Sequence, residues 1–236
     1  MEVQYKAQSG KSLPCLVANL LENSDKYDMS RHEIAWLAGM LVFAGSETTA
    51  TVLTVFLLAM TLYPDVLVRA QNEIDEVVGR ERMPNFDDEG SLPYVNALIK
   101  EVLRWRPVLP LSLPRRCVQD DWYQGYFIPK GTTVLENVWA MAHDPEYFPD
   151  PDEFRPERYL DADGKLSDSK TDTNAQKYFA FGFGRRLCAG KHLADQTVFI
   201  DIASFIWAFS VQKATDEKGL PITPSRDATI NDGVVV

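Results

Sequence analysis

Residues 179–190 read FAFGFGRRLCAG: one cysteine, two arginines just before it, and glycines on both sides. Gly182, Gly184 and Gly190 permit a tight loop and let backbone approach a flat ligand closely. Cys188 lies at the start of a helical pattern, whose free N–H groups favour an anion. Arg185 and Arg186 add positive charge, so the loop favours a thiolate. A single thiolate, with no second cysteine or histidine close in sequence, is a poor zinc site. It suits the axial position of a haem iron, where thiolate donation favours O–O cleavage. The plainer reading is a glycine loop with an incidental thiol.

A second stretch is out of place on local grounds. Ala44-Gly45-Ser46-Glu47-Thr48-Thr49 sits inside the apolar run 34–63. A helix-interior glycine such as Gly45 costs about 1 kcal/mol against alanine. Glu47 is expensive to bury unless paired or protonated. The hydroxyls of Ser46, Thr48 and Thr49 compete with the helix ladder. A third candidate is Glu101 with Arg104, an i, i+3 pair near a helix end. Alone, it reads as a solvated ion pair worth roughly a few tenths of a kcal/mol.

The elements that must hold these residues are mostly helices. Residues 12–22 predict a short amphipathic helix. Ser30 and Glu33 form a capping box for the long apolar helix, which Pro64 ends. Asp65 is expected to cap a helix through Val78, stopped by Gly79; a polar loop, 80–91, follows. Pro93 opens a helix that ends before Pro107. Pro107, Pro110 and Pro114 then forbid helix, and RRCVQ, DWYQGYFI and TTVLENVW read as short strands. HDPEYFPDPDEFRPERYL, rich in Pro and Asp, predicts coil. A polar loop at 161–177, a helix at 189–209 and a strand-like VVV terminus complete the reading.

Composition narrows the function. The formal charge of −10 argues against a nucleic-acid partner. The three cysteines, Cys15, Cys117 and Cys188, are widely spaced and suggest no disulfide framework. The first residues hold no apolar signal segment. The 34–63 run is long enough to span a bilayer, but the midpoint acid Glu47 favours a buried core helix.

Together these motifs carry a resemblance. Phe181-x-x-Gly184-x-x-x-Cys188-x-Gly190, with Arg186 two before the cysteine, resembles the haem-binding loop of cytochrome P-450 monooxygenases. Glu101-x-x-Arg104 and Phe154-Arg155-Pro156-Glu157-Arg158 resemble that family's scaffold motifs, and Ala44–Thr49 resembles its oxygen-activation segment. The resemblance implies a mainly α fold with small β-sheets. It starts just before the long oxygen-binding helix, so residues 1–236 are expected to form one partial domain. Earlier helices, the membrane anchor and a final strand would be missing. It implies haem b with Cys188 as axial iron ligand, and Arg115 and Arg186 on the haem propionates. Ala44, Gly45, Phe181, Gly182 and Gly190 would shape the haem pocket. Thr48 would open the helix ladder to hold water or dioxygen, and Glu47 would relay protons. Glu101, Arg104 and Arg158 would form a structural triad, with His143 a structural residue. Partners would be dioxygen, an apolar substrate near Val108, Leu109 and Leu111, and an NADPH-cytochrome reductase. The full-length protein would sit on the cytosolic face of the endoplasmic reticulum membrane. The spelling is that of microsomal eukaryotic members, of fungal kind. Alternatives are an inactive truncated remnant and a haem-thiolate isomerase or dehydratase; the Glu47–Thr48 pair argues against the second.

Overall fold

Local chemistry sets most helix ends in the computed structural model, which describes residues 15–167 and 179–226. The expected helix start at 12–14, the loop from 168 to 177 and the terminal VVV lie outside the described residues. Two compact units divide the chain, Met1–Glu47 and Thr48–Val236, and the boundary falls inside one helix.

In the first unit, α1 (Leu16–Glu22) and α2 (Ser24–Tyr27) are short. The long helix α3 (Arg31–Leu62) begins at a reciprocal capping box. Ser30 N donates to Glu33 Oε2 at 2.8 Å, and Glu33 N donates to Ser30 Oγ at 3.2 Å. By length and composition alone α3 could cross a membrane. Its first half presents large apolar side chains to solvent, Trp36 and Val42 at 63% and 72% exposure among them.

In the second unit the rest of α3 joins a helical core. Val52, Val55, Phe56, Ala59 and Met60 pack with residues of α4 (Pro64–Val77), α5 (Pro93–Trp105) and α7 (Lys191–Ala208). Proline stands at the first position of α4 and of α5, where its missing N–H costs nothing. Asp65 therefore falls inside the first turn of α4 and makes no cap; the cap position is Tyr63, which offers no side-chain bond. The cap of α5 comes from outside the helix. Glu73, on α4, accepts from the N–H groups of Tyr94 and Val95 at 2.8 and 2.9 Å. The polar loop at 80–91 also contains a 3-10 turn, Phe86–Ser91, fixed by an Asn85–Asp88 capping box.

The expected strands are shorter in the structure. β1 (Arg115–Arg116) pairs antiparallel with β4 (Thr133–Val134), Arg115 opposite Val134. β2 (Asp121–Tyr123) pairs with β3 (Tyr126–Ile128) around Gln124–Gly125, both at positive φ. The segment expected to run as strand to residue 139 instead turns into α6 (Val138–Ala142). Asn137 is the cause: its side chain accepts from Ala140 N at 3.0 Å and starts the helix. A second small core joins Ala97, Val138, Phe148, Tyr159 and Phe179, seating the 143–160 coil and its Pro156–Tyr159 3-10 turn against α5.

Candidate functional site

The cysteine loop is folded by its own backbone. Gly182 and Gly184 both adopt positive φ, +75° and +55°, where glycine alone is unstrained. Gly184–Arg186 makes one 3-10 turn. Cys188 N donates to Phe181 O at 2.9 Å, closing the loop on itself. Cys188 carries a free, exposed thiol. It lies ahead of the helix proper, because α7 starts at Lys191 with Gly190 as its cap, two residues later than expected from the sequence. A Cβ at Gly190 would lie 3.9 Å from Cys188 Sγ, so the glycine keeps the space beside the sulfur small but open. Phe181 packs at the core margin with the Lys191 ammonium 5.2 Å above its ring centre.

Arg115 reaches this loop from β1. Its Nη1 pairs with Glu136 Oε1 at 2.9 Å. A Cβ on Gly182 would stand 3.5 Å from Arg115 Nη2, 3.7 Å from the Arg186 carbonyl oxygen and 4.0 Å from Glu136 Oε2. The structure thus brings Arg115, Gly182 and the Arg186 backbone together. The Arg186 side chain is exposed. Glu136 escaped sequence reading. Its signal is the β1–β4 register, which sets Val134 opposite Arg115 and so turns the residue two further on to the same side; that register is not visible in the sequence.

The polar stretch of α3 is placed differently. Ala44, Gly45 and Glu47 are exposed, and Thr48 is half-buried. Nothing stands within 4 Å of a Cβ built on Gly45. The helix stays α through the whole stretch, so the expected opening of the ladder at Thr48 is not seen. The hydroxyl of Ser46 instead donates back to Val42 O at 2.8 Å, satisfying itself without disturbing the backbone. Ala44, Gly45 and Glu47 belong to the first unit; Thr48 and the cysteine loop belong to the second.

Glu101, Arg104 and Arg158 converge in the core of the second unit. Arg104 grips Glu101 with two bonds, Nε to Oε2 at 2.7 Å and Nη2 to Oε1 at 2.8 Å. Arg158 Nε donates to Glu101 Oε1 at 3.1 Å, and Arg155 N donates to the same oxygen at 2.8 Å. The side chain of Glu101 is fully buried, and that of Arg158 nearly so. Burial pulls the Arg158 guanidinium below its ordinary value, with Glu101 opposing that shift. The remaining N–H groups tie down the coil: Arg104 Nη1 donates to Ala142 O, and Arg158 Nη1 to Pro149 O. His143 stacks on Trp139, with ring centres 3.8 Å apart, and its Nδ1 bonds Trp139 O at 3.0 Å. Its Nε2 is buried without a partner. Burial pushes its pKa down, and the Arg104 and Arg106 charges push the same way.

Among the described residues no group of three or more His, Cys, Asp or Glu gathers as a multidentate metal site. One accessible sulfur on a glycine loop, with a guanidinium alongside, fits a haem-thiolate site and not a zinc site.

The described residues are mainly helical, with two small antiparallel sheets. The cytochrome P-450 family model matches residues 2–232, and the chain belongs to that family. Among fungal relatives, cytochrome P-450 monooxygenase 253 of Postia placenta is 56% identical over 227 residues, covering 96% of this chain and 43% of its own length. A cytochrome P-450 monooxygenase of Armillaria gallica is 45% identical over 234 residues, covering 99% of this chain and 45% of its own. Cytochrome P-450 monooxygenase claR of Ampulloclitocybe clavipes is 44% identical over 223 residues, covering 94% and 40% respectively. The chain thus spans less than half the length of these relatives.

Proposed function

We propose that this chain supplies the haem-binding part of a fungal monooxygenase acting on an apolar organic substrate. Haem, when bound, supplies the activation of dioxygen and the insertion of one oxygen atom into that substrate. Cys188 Sγ would hold the haem iron. Arg115 and Arg186 would hold the haem propionates by charge-assisted hydrogen bonds. Gly182 and Gly190 keep side chains out of the ligand's way, Phe181 gives the loop an apolar wall, and Ala44 and Gly45 keep the helix face slim. The Thr48 hydroxyl holds a proton at Oγ, and the exposed Glu47 carboxylate takes protons from water and passes them on. Glu101, Arg104 and Arg158 hold the coil that leads to the cysteine loop and do no chemistry. Val108, Leu109 and Leu111 offer apolar contact to the substrate. Electrons come from NADPH through a flavoprotein reductase, and the working protein resides at the endoplasmic reticulum membrane.

The observation that carries this reading is the free, exposed thiol of Cys188 in a loop closed by the Cys188–Phe181 backbone bond. The test is hemin added to the 236-residue chain, followed by reduction and carbon monoxide. The expected result is the red-shifted Soret band of a thiolate adduct, absent in Cys188→Ser. The same band in Cys188→Ser, or no such band in the native chain, would overturn the reading.

A further inference from the structure

Arg115 does not hang free beside the cysteine loop; Glu136 holds it there. Their ion pair is short, 2.9 Å, and both side chains are mostly buried, 33% and 20% exposed. The backbone of Glu136 is itself anchored. Its N–H donates to Ser112 Oγ at 3.2 Å, and Trp139 N, just after it, donates to Pro110 O at 2.9 Å. The β1–β4 ladder fixes Arg115 at the other end, opposite Val134. The guanidinium is therefore clamped from two sides, with Nη1 spent on Glu136 and Nη2 turned toward Gly182.

The clamp is not closed by protein. Glu136 Oε2 is buried and has no hydrogen-bond partner. It lies on the same small recess as Arg115 Nη2, since both approach the position a Gly182 Cβ would fill. A buried carboxylate oxygen without a donor is costly and calls for an explanation. That oxygen can take only a donor, so it does not itself bind an anion; the group on this side that can is Arg115 Nη2, 3.5 Å from where a Gly182 Cβ would stand.

We propose that Glu136 is a positioning residue: it fixes the Arg115 guanidinium with Nη2 toward the cysteine loop, ready to receive a carboxylate of the bound haem. This rests on the haem-thiolate reading above. The guanidinium has enough donors to serve two carboxylates at once, Glu136 on one edge and the ligand on another. Pre-setting its direction spares the ligand the entropy of ordering a long side chain.

The experiment uses the hemin-loaded 236-residue chain and measures haem loss to excess apomyoglobin, for native protein, Glu136→Ala, Glu136→Gln, Arg115→Ala and the double variant. Losing a charge-assisted anchor should speed haem loss about tenfold in Glu136→Ala. Glu136→Gln keeps an oxygen acceptor for Nη1 and should stay within about twofold of native. In the Arg115→Ala background, Glu136→Ala should add nothing, because the two act through one group. Unchanged haem loss in Glu136→Ala would overturn the proposal, as would additive effects in the double variant. Slower loss in both Glu136 variants would overturn it too, since Glu136 would then be competing with the ligand. A second readout needs no haem. The Arg115 Nε–H resonance of the haem-free chain should be sharp in native and Glu136→Gln protein and lost to exchange in Glu136→Ala. If the native chain forms no Cys188-dependent adduct, the haem-thiolate reading fails, and this resonance alone decides whether Glu136 positions Arg115. Equal sharpness in native and Glu136→Ala protein would refute the positioning.

Discussion

Replacing Glu101 by alanine leaves Arg104 and Arg158 as like charges with no acid between them, in a site where Glu101 is completely buried. Breaking a buried pair by removing one partner costs about 3–5 kcal/mol. Chemical denaturation of Glu101→Ala should show an unfolding free energy lowered by that amount and a correspondingly lower midpoint, with haem content falling even though Glu101 lies in the scaffold. A native midpoint would make the node dispensable. His143 gives a pH dependence of definite sign. Its folded pKa lies below the ordinary value, so the unfolded chain takes up the proton first. Stability is complete above pH ~6.5, the ordinary histidine value, and falls with pH below it by at most about 1.4 kcal/mol per pH unit. Melting temperature followed from pH 8 to about pH 5 should drop in native protein and drop less in His143→Gln. Asp88 acts lower on the scale. The Arg82 guanidinium beside it holds its carboxyl at about 2, so its contribution persists above its ordinary value of 3.8 and is lost as pH falls toward 2.

The helices show which boundaries a sequence can declare. The Ser30–Glu33 box, Pro64, Pro93 and Gly79 mark their ends locally, and the structure uses all of them. The cap of α5 is different, because its acceptor, Glu73, lies 21 residues before Tyr94 and on another helix. No local rule finds such a cap. The same reason hid Glu136, whose meaning depends on a strand register. Asn137 is legible in principle as a helix cap, but the apolar and β-branched residues around it make the segment read as strand. The polar stretch 44–49 was conspicuous in the sequence, yet its local geometry is ordinary helix; its residue types marked it, and its backbone does not. Glu73 also gives a test at this scale. Burial pushes its carboxyl up, so it is an acid that resists ionising while holding two N–H groups. Glu73→Ala should cost about 1–2 kcal/mol, the range of a lost cap. Amide exchange should rise first at Tyr94 and Val95. Exchange rising uniformly along α5 would instead mean that the whole helix is loosened.

At the scale of the molecule, the long helix has two characters. From Val52 onward it is core; over residues 36–43 it shows Trp36, Leu37, Met40, Leu41, Val42 and Phe43 to solvent. Isolated proteins seldom expose apolar patches beyond about 300–600 Å². The 236-residue chain purified alone should therefore self-associate at micromolar concentration. Trp36→Glu with Val42→Glu should shift it toward monomer in size-exclusion chromatography without moving the denaturation midpoint of the second unit. A native chain that runs as a monomer at all concentrations would show that this face is covered in solution. The family was legible because its motifs are local, each within about ten residues. The sequence favours a buried core helix over 34–63, and the exposed first half of α3 departs from that, since periodicity shows how many faces are apolar and not what covers them.

The partners of Glu101 also differ in when they can arrive. Arg104 is three residues away and meets it as soon as α5 coils; Arg158 is 57 residues away. Closing a loop of that length carries an entropy cost that grows with the logarithm of its size. Long-range contacts of this kind slow folding. In refolding, α5 with its Glu101–Arg104 pair should therefore form before the coil that carries Arg158 docks on it. Hemin offered during the first moments of refolding meets a cysteine loop that is still searching. Hemin offered afterwards meets a finished one, so the order of mixing should decide how much of the chain captures it through sulfur.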